Sequence, residues 1–154
     1  MPLISIHEGE IKLDWRIDAP RARVWQCITD PDLLSQWLGV LVEGIIAPGS
    51  TFVVDHGDEY CCRSVVESYA EPNKLGFTWH FADEPPSRVG LGLEEAEGAT
   101  ELRLSHRALG DLAESYVDGW CTHLSYLEAA ALGTPLPASM FWRLHGTIAQ
   151  LRNR

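Results

Sequence analysis

Basic side chains are scarce in this chain. Only 12 of its 154 residues are lysine or arginine, against 22 aspartates and glutamates, giving a formal net charge of -10 and a pI near 4.9. Such a surface repels phosphate backbones and anionic headgroups, and no local Lys/Arg cluster reverses the sign, so neither nucleic acid nor a membrane is expected as a partner. Long apolar runs are missing as well, none approaching the roughly 20 residues of a membrane span. The opening MPLISIHEGEIKLDW lacks the basic region, apolar stretch and small-residue cleavage site of an export signal, which implies a cytoplasmic location.

No C-x-x-C pair occurs among Cys27, Cys61, Cys62 and Cys121. In a reducing compartment such thiols act as small apolar side chains. Adjacent Cys61 and Cys62 point to opposite faces of a strand and so cannot share one zinc ion or one bridge. The histidines are spread along the chain without zinc spacing. No metal and no cofactor are expected. A nucleophile with its base, or two carboxylates on one cavity, is also absent. Asp55-His56 with Asp58 and Glu59 reads as a polar hairpin tip, and Glu94, Glu95 and Glu97 as a solvated turn, so the residues point to a non-enzymatic protein.

What the chain has in quantity is tryptophan, six residues, most of them placed where periodic segments face the interior. The length suits one core that folds without disulfides. Ile11, Leu13, Trp15 and Ile17 alternate with polar residues, the period of a strand with one buried face. Asp18-Ala19-Pro20 opens a helix with Val24, Trp25 and Ile28 inward. Asp30 caps a second, with Pro31 at its first position and Leu33, Leu34 and Trp37 buried.

Beyond Gly39, turn signals at Pro48-Gly49, Gly57-Asp58, Pro72-Asn73, Asp83 to Pro86 and Glu97-Gly98 separate roughly six strands, too closely spaced for parallel crossovers. Alternation is clear in Leu75, Phe77, Trp79 and Phe81, and in Leu102, Leu104, His106 and Ala108. Gly90 and Gly92 on one face of the intervening strand suit a bent sheet. From about Asp111 to Leu132 the period is helical, with Ala113, Tyr116, Trp120, Leu124, Leu127 and Ala131 in one stripe and Val117 and His123 on its flanks. Gly133-Thr134-Pro135 ends that helix. Phe141, Leu144, Ile148 and Leu151 form a second stripe, which either packs on its own domain or pairs with a second copy as a homodimer.

The order of strand, two short helices, antiparallel strands and long helix resembles the START-like superfamily, also called SRPBCC. Within it the chain is similar to the homologues of the activator of heat shock protein 90 ATPase. The resemblance rests on Ala19-Pro20 with Val24-Trp25, Thr29-Asp30-Pro31 with Trp37, Pro48-Gly49, and Pro72 with Leu75, Phe77 and Trp79. It continues through Thr100-Glu101-Leu102 with His106, and Gly119-Trp120 with Leu124 and Leu127, covering about Glu8 to Leu132. Leu38 and Ser50 depart from the family pattern, which bears on the mouth of any pocket.

The resemblance implies an α+β helix-grip fold: a curved antiparallel sheet of about six or seven strands wrapped around a long C-terminal helix. Residues 1–133 form that domain and 134–154 an amphipathic helical extension. It also implies a cavity between sheet and helix that takes a small hydrophobic molecule, with Trp37, Trp79, Tyr116 and Trp120 as walls unless these rings simply fill the space. His106 and His123 share that region, either to orient a ligand or as core histidines bonded to the protein. His80 has the outward parity. The family implies two further roles, a co-chaperone-like or stress-linked interaction protein, and an aromatase/cyclase- or hydrolase-type enzyme using His106 or His123 as acid or base.

Overall fold

Residues 3–153 are described in a computed structural model of the chain. Eight strands form one antiparallel sheet: β1 (Leu3–His7), β2 (Glu10–Ile17), β3 (Val40–Gly44), β4 (Thr51–Asp55), β5 (Cys61–Ala70), β6 (Lys74–Phe81), β7 (Ser87–Ala96) and β8 (Ala99–Arg107). Their spatial order is β1-β2-β8-β7-β6-β5-β4-β3. The six strands after Gly39 therefore run as the expected meander, and β2 closes against the last of them, with Leu13 opposite Leu104 and Trp15 opposite Leu102. The strand count exceeds expectation by one because β1, which carries little inward apolar surface, pairs with β2 as an edge hairpin through Glu8-Gly9.

Two irregularities bend the sheet. The register slips between Leu41 and Glu43 on β3 and between Val66 and Ser68 on β5. An extra residue in one strand of a pair shifts side-chain parity and increases local twist. On β5 the inward set is Cys62, Ser64 and Val66 before the slip, while beyond it Tyr69 meets the edge of Trp25 at 5.3 Å between ring centroids. Cys61 is exposed and Cys62 buried, as their alternation requires. One strand reading needs correction: β8 stops at Arg107. Ala108 takes a left-handed φ of 64° and lies exposed, and Leu109 turns inward in its place.

Between β2 and β3 lie α1 (Arg21–Thr29) and α2 (Pro31–Leu34). Pro20 sits just before α1, its carbonyl accepting from Arg23 and Val24, and Thr100 Oγ1 donates to the Ala19 carbonyl at 2.8 Å, tying the entry to β8. Asp30 caps α2, accepting from the amides of Asp32 and Leu33.

The long helix α3 (Ala113–Ala131) crosses the concave face of the sheet. Val117, Leu124, Leu127 and Ala130 have no exposed surface. Val117, expected on the flank of the stripe, is thus part of the core, and α1 and the C-terminal helix α4 (Phe141–Arg152) also pack against α3. At the C-terminus of α3, Gly133 adopts φ +81°, with Gly133 N–H on the Ala130 carbonyl and Thr134 N–H on the Ala129 carbonyl. This is the paired closure for which glycine is favoured. Of the tail stripe, Phe141, Leu144 and Ile148 pack against the core of the same chain, and Leu151 remains 61% exposed. Arg152 fastens the end of α4 to Asp118 at 2.7 Å and Glu114 at 3.2 Å.

Truncating Leu124 to alanine removes fully buried methyl groups and should lower the unfolding free energy by about 2–5 kcal/mol. The same truncation at Leu151 should shift it by less than about 0.5 kcal/mol. Urea denaturation of the two variants measures both.

Candidate functional site

Between the sheet, α3 and the tail opens a cleft of about 680 Å³. Trp79 and Phe81 of β6 form one wall. Tyr116, Gly119, Trp120 and His123 of α3 form the opposite one, Trp37 to Val40 and His56 lie along the rim, and Leu136, Phe141 and Trp142 of the tail close the remaining side.

Of the residues expected from sequence, Trp37, Trp79, Tyr116, Trp120 and His123 all face the cleft. Trp37, Trp79 and Trp120 are nearly wholly buried and also border open space. Their indole N–H groups are spent inside the protein. Trp37 Nε1 donates to the Cys27 carbonyl at 2.8 Å, Trp79 Nε1 to the Tyr116 hydroxyl at 2.9 Å, and Trp120 Nε1 to His106 Nδ1 at 2.9 Å.

His106 lies behind the wall rather than on it. Because an indole N–H only donates, Nδ1 must be the bare nitrogen and Nε2 must carry the proton. Nε2–H then donates to Ser87 Oγ at 2.7 Å, whose own proton turns to the Trp79 carbonyl at 3.4 Å. With no exposed surface and both nitrogens engaged, His106 is a core histidine joining α3 to the sheet. Burial pushes its pKa down to about 3, so it is neutral at pH 7 and has no free nitrogen for acid–base work.

His123 stands differently. Its Nδ1 lies 2.8 Å from the Trp37 carbonyl and must donate to it, leaving Nε2 as an acceptor. Burial against the aromatic rings lowers its pKa to about 4. His80 is exposed on the outer face, as its parity requires.

The hairpin-tip reading of Asp55-His56 needs correction. His56 turns inward, its ring 5.4 Å from Trp79, 5.3 Å from Phe81 and 5.8 Å from His123, centroid to centroid. Burial, and secondarily His123, lowers its pKa to about 3, and Nε2 is sealed without a hydrogen-bond partner. The alternation Phe52, Val54, His56 carried the signal, but Gly57, Asp58 and Glu59 obscured it. Glu84, in the turn between β6 and β7, was also missed. It accepts from the Tyr116 hydroxyl at 2.5 Å, and burial together with that bond raises the Tyr116 pKa.

Across the mouth, Tyr126 donates to the Pro137 carbonyl at 2.6 Å, and Phe141 lies 4.8 Å from the His123 ring. No helix of the described residues is long and apolar enough to cross a membrane.

A curved antiparallel sheet gripping one long helix around a cleft defines a helix-grip protein of the START-like class. The family model of the activator of Hsp90 ATPase homolog 1-like proteins matches residues 18–131, and the chain belongs to that family. No curated protein matches the sequence. Among solved structures, CalU16 from Micromonospora echinospora is 23% identical, with 98% of this chain and 94% of that one covered at a TM-score of 0.78. The protein encoded by gene BPP1335 of Bordetella parapertussis is 27% identical over 97% of this chain and 87% of its own, at 0.73. DynU16, a protein of the dynemicin biosynthetic locus, is 25% identical at 0.76, with 84% of this chain but only 49% of DynU16 covered.

His106 gives the fold an acid-labile point. Its ordinary pKa of 6.5 applies in the unfolded chain and about 3 in the folded one. The unfolded state therefore binds the extra proton between these values, so stability is intact above about pH 6.5 and is lost on descent towards about 3. Replacing His106 with Phe should cost about 1–3 kcal/mol at neutral pH by stranding the Trp120 and Ser87 groups, while flattening the acid limb. Denaturation midpoints of both proteins across the acid range give the comparison.

Proposed function

We propose that the protein binds a small, largely aromatic molecule in the cleft between the sheet and α3. The observation that carries this reading is the cleft itself: about 680 Å³ of space faced by aromatic rings and kept open at Gly119. Ligand pockets commonly measure about 300–1,000 Å³ and pair apolar walls with a few oriented polar groups. His123, Glu84 and Asp55 supply those groups.

Gly119 lies within α3, where glycine costs about 0.5–1 kcal/mol relative to alanine. A Cβ built there meets nothing within 4 Å, so packing does not demand the glycine, and its effect is to leave the cleft wider. Binding is favoured over catalysis because the two cleft imidazoles are weak bases, at about 3 and about 4, whereas general acid–base groups work best near the operating pH. The likeness to DynU16, from a biosynthetic locus, supports a role in handling small molecules.

Gly119→Ala should stabilise the protein by about 0.5–1 kcal/mol by helix propensity. Gly119→Phe should fill the cleft and abolish binding while the fold persists. Native mass spectrometry of gently purified protein, compared with the same sample denatured, reads any bound molecule as extra mass lost on denaturation. Extra mass carried equally by Gly119→Phe would place the ligand elsewhere and overturn the reading.

A further inference from the structure

We propose that this cleft selects an aromatic ligand that brings its own hydrogen-bond donor, best a protonated amine, and rejects carboxylates and phosphates. The inference rests on the reading of the cleft as a ligand site and names the chemistry that site accepts.

Most donors at the cleft are already committed, and most acceptors are not. The three indole N–H groups of the wall are already committed within the protein. So are the phenolic protons: Tyr116 donates to Glu84, Tyr60 to Asp83 at 2.8 Å, and Tyr126 to the Pro137 carbonyl. What remains on offer is mostly acceptors. His123 Nε2 accepts because Nδ1 must serve Trp37. Glu84 has a second carboxylate oxygen beyond the one held by Tyr116, and Asp55 has one beyond the oxygen held by the Gly57 amide. His56 Nε2 is sealed in the aromatic wall and is not presented to the cleft. The exceptions are the Gln36 amide, offering both, and the Trp142 indole N–H, a donor on the exposed tail side.

Charge points the same way. Among the described residues no lysine or arginine lines the cleft, whereas two carboxylates do. An anion brought there would lose its hydration without gaining a cation, and an uncompensated buried charge is among the costliest arrangements in a protein. A cation gains the opposite set. Aromatic faces attract it through their quadrupoles, the carboxylates neutralise it, and the net charge of -10 draws it in from solution.

Three probes of one shape separate the contributions: 9-(aminomethyl)anthracene, 9-anthracenemethanol and 9-anthracenecarboxylate, titrated at neutral pH with anthracene fluorescence anisotropy. The amine should bind most tightly, the alcohol next, and the carboxylate about tenfold or more weaker than the alcohol, one stranded charge being enough for that factor. Glu84→Gln keeps an acceptor for Tyr116 and should weaken the amine several-fold while leaving the alcohol unchanged. A carboxylate that binds as tightly as the amine overturns the inference and leaves the cleft standing as a ligand site. Failure of all three probes overturns both. Binding that survives Gly119→Phe unchanged lies outside the cleft and overturns the selection argued here.

Discussion

The position of the long helix on the sheet depends on one buried polar chain, from Trp120 Nε1 through His106 to Ser87 and the Trp79 carbonyl. Apolar packing alone presses a helix onto a sheet without fixing where along the sheet it stops. Three hydrogen bonds in series, each with its donor direction dictated by the one before, remove that freedom, and in low dielectric they reinforce one another. The chain starts at the ring of Trp120 and ends at the backbone of Trp79, two of the three buried tryptophans that border the cleft. The mixed character of the interior follows: a histidine that serves only structure lies directly behind rings that border open space.

The helix is fastened a second time near its C-terminus. Near its C-terminus, Glu128 accepts from Trp15 Nε1 at 2.8 Å, and the Arg23 guanidinium reaches the carbonyls of Ala130 and Ala131 at 3.1 and 3.4 Å. The last turn of α3 has no basic residue of its own, and Arg23 supplies from α1 the positive charge that a helix C-terminus favours. The cleft lies before this clamp, along the stretch of α3 from Tyr116 to Tyr126.

Most of the fold was legible because it depends on period and punctuation. The alternation of Leu75, Phe77, Trp79 and Phe81, the Asp30-Pro31 cap, and the glycine after α3 each have one structural solution. Five of the six expected site residues reached the cleft for the same reason, being apolar or flanking positions on elements of known facing. The failures share a cause. Ala108 lost its parity to a left-handed residue that no period reveals, and β1 has too little apolar surface to announce itself. His56 was masked by the polar turn beside it. Whether His106 bordered the cavity or stood behind it depended on the thickness of one tryptophan layer, which spacing along the chain does not encode.

The tail has kinetic meaning. The helix α4 has no fully buried residue and is held by partial packing of Phe141, Leu144 and Ile148, by the Arg152 ion pairs, and through the Tyr126–Pro137 bond before it. Segments so attached detach at a fraction of the free energy that opens a core. Amides of α4 therefore exchange with solvent before those of α3, and the side of the cleft made by the tail is the part of its wall that opens at the lowest cost.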